Sequence, residues 1–159
     1  EHEGPVYIRL FRRQAENVFD DGYEFDLGKA DLLRDGSDVT LIASGVCVAN
    51  ALQAAETLAQ EGVSARVLNI HTIKPIDADA VIKAASETGA LVTAENHNVI
   101  GGLGSAVAEV LAEQRPTPLE RVGVKDHFGQ VGKAPYLMDV FGITAADIAK
   151  AARKAIARK

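Results

Sequence analysis

The chain has 159 residues, of which 47% are apolar and 25% are charged, and its net charge is −5. Domains hold about 100–200 residues and average globular proteins are similarly apolar, so we expect one globular domain with room for a piece of another. A disordered segment, a fibrous repeat and a basic nucleic-acid binder are excluded by these figures. The single cysteine, Cys47, excludes a disulfide framework and a cysteine-rich zinc site.

The sequence also lacks the apolar run of roughly 18 residues that a membrane-spanning helix needs. We therefore expect neither a membrane nor a nucleic acid among the partners of this chain. A lone cysteine is typical of a reducing compartment, and the predicted location is the cytoplasm.

The first residues of the chain differ in character from the rest. The run Val6–Phe11 is rich in β-branched and aromatic residues, which predicts a strand. Residues 12–28 are polar, acidic and without periodicity, which predicts a linker. Because the chain opens in the middle of a strand-like run and without a methionine, we expect it to be a trimmed piece of a longer protein.

From residue 29 onward, strand-like and helix-like stretches alternate. Apolar and β-branched runs predict strands at Lys29–Leu33, Val39–Ala43, Ala65–Ile70, Ala90–Ala94 and Leu119–Val124. Alanine-rich stretches predict helices at Val46–Glu61, 78–88, from residue 103 to Gln114, at 133–140 and at 145–158. Asp77 and Thr144 are suitable N-caps, and Gly89 is a suitable end for the second helix. The turn around Gly36 favours a hairpin of the first two strands.

Strands that are joined by helices form a mainly parallel sheet with helices on both faces. The predicted fold is a three-layer α/β/α domain, with a five-stranded, mostly parallel sheet and one antiparallel edge strand. In such sheets ligands bind beyond the carboxyl ends of the strands, so the loops that follow the strands carry the candidate sites.

Metal-ligand residue types gather in these loops. His71, His97 and His127, together with Glu95 and Asp126, follow three of the predicted strands. Their side chains are of the kinds that bind zinc and other transition metals. None of them has ligand spacing along the sequence, so we predict no metal site.

A glycine loop, Gly101-Gly102-Leu103-Gly104, precedes the third helix. It gives the pattern G-x-G-x-x-V, which lacks the last glycine of a dinucleotide fingerprint and does not follow the first strand. The glycines allow a close approach of backbone to a neighbouring element. They also leave Gly101, Gly102 and Gly104 as a possible anion-binding loop, because helix N-termini attract anions.

Cys47 lies at the start of a predicted helix, a place that lowers the pKa of a thiol. Its neighbours Val46, Val48 and Ala49 are apolar, so the sequence favours a buried packing residue over a nucleophile.

Three arginines accompany the opening strand, and their guanidinium groups match phosphate oxygens. Arg9 alternates with apolar positions and fits a solvent-facing or paired side chain. Arg12 and Arg13, at the end of the strand, are better placed to bind an anion.

Five stretches in order resemble the transketolase family of thiamine-diphosphate-dependent enzymes. Gly4–Arg12 is similar to the last strand of the pyrimidine-binding domain in that family. The other four resemble motifs of the C-terminal domain: Asp38–Gly45, Lys74–Asp77, Glu95–His97 with Gly101–Ser105, and Arg121–Phe128. The resemblance covers nearly the whole chain and is strongest to the C-terminal subunit of split transketolases.

The resemblance implies three parts of the chain. Residues 1–13 would be the remnant of the pyrimidine-binding domain, 14–28 a linker, and 29–159 the transketolase C-terminal domain. It further implies an enzyme of the pentose phosphate pathway that transfers a two-carbon ketol unit between sugar phosphates, with thiamine diphosphate and magnesium as cofactors. In the family a G-D-G…N motif of the N-terminal domain binds the diphosphate and its magnesium ion, and a glutamate of the middle domain activates the pyrimidine ring. The resemblance places both outside this sequence.

We therefore expect the 159 residues alone to bind no cofactor, to contribute no catalytic residue and to be inactive. The implied partners are the N-terminal thiamine-binding domain or subunit of the same enzyme, a second copy in a homodimer, and sugar phosphates. One site role is implied by position, since the family's arginine at the end of this strand holds the substrate phosphate and Arg12 occupies its place.

Two other functions stay open at this point. The chain could be a self-standing α/β module that binds an anion or nucleotide at the glycine loop. It could also be the C-terminal domain of a related thiamine enzyme, a deoxyxylulose-phosphate synthase or the β subunit of a 2-oxoacid dehydrogenase, where it would act in subunit docking.

Overall fold

A computed structural model describes residues 2–12 and 15–159 of the chain. In these residues strands alternate with helices, as the sequence predicts. The strands are β1 (Asp31–Arg34), β2 (Val39–Ala43), β3 (Ala65–Asn69), β4 (Leu91–Asn98) and β5 (Leu119–Val124). The helices are α1 (Cys47–Gln60), α2 (Ala78–Thr88), α3 (Leu103–Gln114), α4 (Ala134–Phe141) and α5 (Ala145–Ile156).

The strands form one sheet in the order β1-β3-β2-β4-β5. Strands β2 to β5 run parallel, and β1 lies antiparallel to β3 at one edge. Strand β2 is central, and every one of its five residues is buried because helices cover both of its faces. The predicted three-layer fold with a mostly parallel five-stranded sheet is confirmed.

Two hydrophobic cores lie on opposite faces of the sheet. Because side chains of a strand alternate between faces, Leu41 joins the core under α1 and α5, while Ile42 joins the core under α2 and α3. Alanines on the inner faces of α1 and α5 let these helices pack closely on the strands.

The predicted hairpin of the first two strands is wrong. Strand β1 pairs with β3, and β3 separates β1 from β2. The connection passes beneath the start of β3, where a Cβ on Gly36 would lie 2.4 Å from the carbonyl carbon of Ala65. Asp38 then hydrogen-bonds Ser64 through backbone and side chain, so the chain enters β2 on the far side of β3.

The predicted helix caps are confirmed. The Asp77 side chain accepts a hydrogen bond from the backbone N–H of Ala80, and Gly89 ends α2 in the left-handed region with φ +66°. Thr144 and Asp147 form a capping box at the start of α5. None of the helices in the described residues is both long enough and apolar enough to span a membrane.

The leading segment, which we define as the described residues before β1, forms neither helix nor strand. The strand predicted at Val6–Phe11 is therefore not observed. Strand structure requires a hydrogen-bonded neighbour, and no strand of the described sheet pairs with this run. Tyr7 is 89% exposed and Leu10 84% exposed. Arg13 and Gln14, at the predicted boundary of strand and linker, lie outside the described residues.

Candidate functional site

A buried carboxylate closes the N-terminus of α3. Glu95 belongs to β4, which continues four residues beyond its predicted end, and the residue is only 2% exposed. Its Oε2 accepts a hydrogen bond from the backbone N–H of Leu103, and its Oε1 accepts one from Gly104, both at 2.8 Å. These N–H groups are otherwise unsatisfied at a helix start, where the helix dipole also favours a negative charge.

The glycine loop is shaped around this carboxylate. A Cβ on Gly102 would lie 2.0 Å from the Glu95 Oε2, and a Cβ on Gly104 would lie 2.9 Å from the Thr93 hydroxyl. Gly101 adopts φ +77° and donates its N–H to the Ser105 hydroxyl at 2.9 Å. The structure thus supplies the close backbone approach that the sequence offered as one explanation of these glycines.

The anion-binding explanation of Gly101, Gly102 and Gly104 has no such support. The N–H groups of Leu103 and Gly104, which an external phosphate would use, already donate to Glu95. A phosphate would have to displace a buried carboxylate of the same charge sign. Anion binding at this loop stays a prediction from the sequence alone.

The carboxyl ends of the two central strands meet at the place where doubly wound sheets bind ligands. Helices α1 and α3 follow β2 and β4 and pack on opposite faces of the sheet, the arrangement at which sheets of this class bind ligands. Arg9 of the leading segment reaches this edge, and its Nη1 donates to the backbone carbonyl of Asn96 at 2.6 Å. Two charged side chains of the protein are therefore found at the end of β4: the exposed Arg9, which contacts Asn96, and the buried Glu95.

Cys47, at the start of α1, is fully buried in the core under α1 and α5. Burial and, to a lesser extent, the negative charge of Glu95 raise the pKa of its thiol to about 12, although the positive charge of Arg9 partly opposes them. A thiol with this pKa holds almost no thiolate near neutral pH. The prediction of a packing cysteine is confirmed.

The histidines at the carboxyl edge are held separately. His71 Nδ1 lies 2.8 Å from the Thr72 hydroxyl, and His97 Nδ1 lies 2.8 Å from the Asn98 carbonyl. His127 Nδ1 lies 3.3 Å from the carbonyl of the next residue. Asp126 accepts a hydrogen bond from the Asn98 side chain at 3.0 Å. Across residues 2–12 and 15–159, no three histidine, cysteine or acidic side chains come together as metal ligands.

A half-open cavity of about 350 Å³ lies beyond the carboxyl ends of β4 and β5. Phe11 of the leading segment forms one wall, and α4 forms another. The lining combines polar and apolar side chains, among them Asn96, Asn98, His127, Leu137 and Phe141. Sequence reasoning missed this cavity, because its walls come from distant parts of the chain and only the apolar side of α4 gave a local sign of it.

Arg12, the predicted phosphate-binding residue, is exposed at a bend three residues after Arg9. It thus directly follows the part of the leading segment that contacts the carboxyl edge of the sheet, and its phosphate-binding role stays a prediction. Arg13, the neighbouring candidate, lies outside the described residues.

Comparison with a family model identifies most of the chain. Residues 28–148 match the model described as transketolase, C-terminal domain. The 6-deoxy-6-sulfo-D-fructose transketolase subunit SqwH of a Clostridium species is 58% identical over 99% of this chain and 49% of its own length. An apulose-4-phosphate transketolase subunit of Phocaeicola vulgatus is 42% identical over 93% of this chain and 47% of its own length. The chain thus spans about half the length of these curated relatives.

Solved structures agree with this result. A structure named split gene transketolase, inactive beta4 tetramer, is 48% identical and superposes with a TM-score of 0.94 over 98% of this chain and 51% of its own length. A transketolase from Leishmania mexicana, 23% identical, superposes with a TM-score of 0.62 over 82% of this chain and 18% of its own length, which shows a shared fold.

Proposed function

Because the chain belongs to the transketolase C-terminal domain family, we propose that it is the C-terminal part of one subunit of a split transketolase. The observation that carries the proposal is the match over 99% of this chain to half of a protein that is itself named a transketolase subunit. Such an enzyme transfers a two-carbon ketol unit from a ketose to an aldose. The remaining half of this subunit and an N-terminal partner subunit would complete the active protein.

We propose that the partner subunit and the rest of this subunit hold thiamine diphosphate and magnesium. The cofactor supplies the electron sink for ketol transfer when bound. The residues of this chain do not fit the group: the sequence has no Gly-Asp-Gly motif. The described residues contain no cluster of three metal-ligating side chains, and the N–H groups at the start of α3 already bind Glu95. The chain alone would then be inactive, and the 48% identical structure, which is named as an inactive beta4 tetramer, supports this expectation.

We propose that the substrates carry a terminal anionic group and that Arg12 binds it. SqwH and the apulose-4-phosphate transketolase relative are named for sugars that bear a sulfonate and a phosphate. Both groups present three oxygens in a tetrahedral arrangement, which a guanidinium can bind with two parallel hydrogen bonds. Arg12 is exposed and follows a segment that crosses the carboxyl edge of the sheet, the edge where ligands of this fold class bind.

A second candidate function has its own support. The 1-deoxy-D-xylulose-5-phosphate synthase of Heliobacterium modesticaldum is 40% identical over 97% of this chain, although the match covers only 24% of that protein. Formation of a 1-deoxy sugar phosphate by the complete protein, in place of ketol transfer between two sugars, would select this candidate.

The test uses the complete subunit reconstituted with its N-terminal partner subunit, thiamine diphosphate and magnesium. We expect ketol transfer from a ketose with a terminal phosphate or sulfonate, and none from the 159-residue chain alone. Arg12→Ala should raise KM for the anionic ketose more than for its uncharged counterpart. Arg115→Ala is the matched control, since Arg115 is also exposed but follows α3 at the opposite edge of the sheet. Transfer by the chain alone, or none by the reconstituted enzyme with either ketose, would contradict the proposal.

A further inference from the structure

We propose that Arg9 is a positioning residue, which fixes the segment that carries Arg12 against the carboxyl edge of the sheet. The inference rests on the proposed function, because it takes Arg12 as the anion-binding residue. In this proposal the domain, through its contact with Arg9, determines the position of the Arg12 guanidinium. Arg9 itself does not contact the substrate.

The first support is the contact between Arg9 and β4. The Arg9 Nη1 donates to the Asn96 carbonyl at 2.6 Å, across 87 positions of sequence. Within the described part of the leading segment up to Arg12, this is the hydrogen bond that joins the segment to the domain. Asn96 lies in β4, so the acceptor is held by the sheet and does not move with the segment.

The second support is the type of side chain that makes the contact. A guanidinium is weakly hydrated and always charged, so it is well suited to donate to a carbonyl near the end of a strand.

The third support is a second contact of the segment with the domain. Phe11, two residues after Arg9, forms a wall of the cavity beyond β4 and β5. Leu10 is 84% exposed, whereas Phe11 is 41% exposed. Arg9 and Phe11 thus contact the domain on either side of the exposed Leu10, and Arg12 follows directly after Phe11. These two contacts therefore limit where Arg12 can lie.

Without the Arg9 contact, the Arg12 guanidinium would sample more positions before it binds an anion. The cost falls on binding of the anionic substrate, because the proposed contact of Arg12 is with the anionic group and not with the reacting carbon atoms. KM for substrates that carry the anion should rise, and kcat should stay close to its original value.

The experiment uses the complete enzyme with the variants Arg9→Met, Arg9→Lys, Arg12→Ala and the double variant Arg9→Met/Arg12→Ala. Arg9→Met keeps the length of the side chain and removes the donor. We expect it to raise KM for a ketose with a terminal phosphate about three- to tenfold, with kcat within about twofold, and to leave an unphosphorylated ketose unaffected. Arg9→Lys retains a charged donor and should recover most of the loss.

The double variant distinguishes positioning from an independent contact. If Arg9 acts through Arg12, Arg9→Met should add nothing to Arg12→Ala, and additive effects would overturn the inference. Arg115→Met is the matched control for loss of an exposed arginine. Equal effects of Arg9→Met on phosphorylated and unphosphorylated ketoses, or a lowered melting temperature that accounts for the loss, would show a structural role and also overturn it.

The outcomes separate the two proposals. If Arg12→Ala changes the preference for phosphorylated substrates and Arg9→Met does not, the inference about Arg9 is wrong and the proposed function stands. If Arg12→Ala has no such effect in an active ketol transferase, the anion-binding role of Arg12 is wrong, and the role of Arg9 is wrong with it.

Discussion

Strand β2 and the run Val6–Phe11 are similar in sequence and opposite in structure. Both are short, apolar and rich in β-branched residues. The five residues of β2 are all buried, and the strand is hydrogen-bonded to β3 on one side and to β4 on the other. In the other run, four residues are each more than half exposed: Val6, Tyr7, Ile8 and Leu10. The comparison shows that an apolar run records a tendency to form a strand, and that a hydrogen-bonded neighbour decides whether the strand forms.

The leading segment is attached to the domain by isolated contacts instead of a ladder. The Tyr23 hydroxyl donates to the Asp31 carboxylate at 3.2 Å, and the Gly28 N–H donates to the Thr72 hydroxyl at 3.3 Å. The Ala30 N–H donates to Asp77 at 3.0 Å. Each bond can be lost without the others, so stability in this part of the chain is local.

The largest expected effect comes from removing a leucine side chain from β2, compared with the same change in the run Val6–Phe11. Leu41→Ala, in the centre of β2, removes a side chain with no exposed surface and leaves a cavity between the sheet and α1. We expect a loss of about 2–5 kcal/mol in the free energy of unfolding, measured with denaturant on the 159-residue chain. Leu10→Ala removes the same atoms from an exposed position and should cost less than about 0.5 kcal/mol. Equal losses would break the comparison.

The same contrast explains which structural features could be predicted from the sequence. Periodicity and caps are local, so the strands, the helices, Asp77 and the capping box at Thr144 were predictable. The neighbours of a strand are not local. Strand β1 pairs with β3 and not with β2, because the connection at Gly36 crosses the start of β3. No local sequence pattern predicts this crossing.

The candidate site shows the same limit. The glycines before α3 were visible in the sequence, and close approach was one of two explanations for them. That the approaching group is the Glu95 carboxylate depends on β4 continuing past Ala94, and polar residues there predicted a loop instead. The contact of Arg9 with the Asn96 carbonyl joins parts of the chain 87 positions apart, and an alternating arginine gave no hint of its acceptor.

The second prediction concerns the glycine loop, where the domain satisfies its polar groups internally. A methyl group on Gly102 would lie 2.0 Å from the Glu95 Oε2, so Gly102→Ala must displace the carboxylate from the N–H groups of Leu103 and Gly104. The expected loss is about 2–3 kcal/mol in the free energy of unfolding, because two buried donors lose their acceptor. Gly129→Ala is the matched control, since a Cβ there meets open space, and it should be nearly neutral. A nearly neutral Gly102→Ala would show that the carboxylate has another place to go.

The third prediction concerns the joint between the leading segment and the domain. One oxygen of Asp77 accepts from Ala80 at the start of α2, and the other accepts from Ala30 just before β1. Asp77→Ala removes both bonds and should cost about 1–2 kcal/mol, with faster amide hydrogen exchange at Ala30 and Ala80. Asp77→Asn keeps one acceptor oxygen, so it should protect only one of the two amides. Unchanged exchange at both positions in Asp77→Ala would show that the joint does not depend on this side chain.

The smallest effect is expected at the far end of the chain, where ion pairs hold α5 in place. Glu120 of β5 binds Lys154 and Arg158, and Glu61 binds Arg153 with both carboxylate oxygens. Burial raises the pKa of Glu120, but the hydrogen bonds and charges of Lys154 and Arg158 outweigh it, so this pKa lies below its ordinary value. The hydrogen bond from Arg153 likewise lowers the pKa of Glu61.

A carboxylate whose pKa is lowered on folding stabilises the protein above its unfolded pKa, and this stability is lost as pH falls through the folded value. We therefore expect Glu120→Gln and Glu61→Gln to flatten the fall in melting temperature between about pH 5 and pH 3. Glu120→Gln should flatten it more, because Glu120 has two cationic partners and a side chain only 14% exposed, against 43% for Glu61. Salt should weaken the Glu61 pair more, since exposed pairs are screened. If neither variant changes the pH dependence of the melting temperature, α5 is held only by the packing of its buried alanines and Ile148. The leading segment and α5 would then differ only in how much apolar surface they bury.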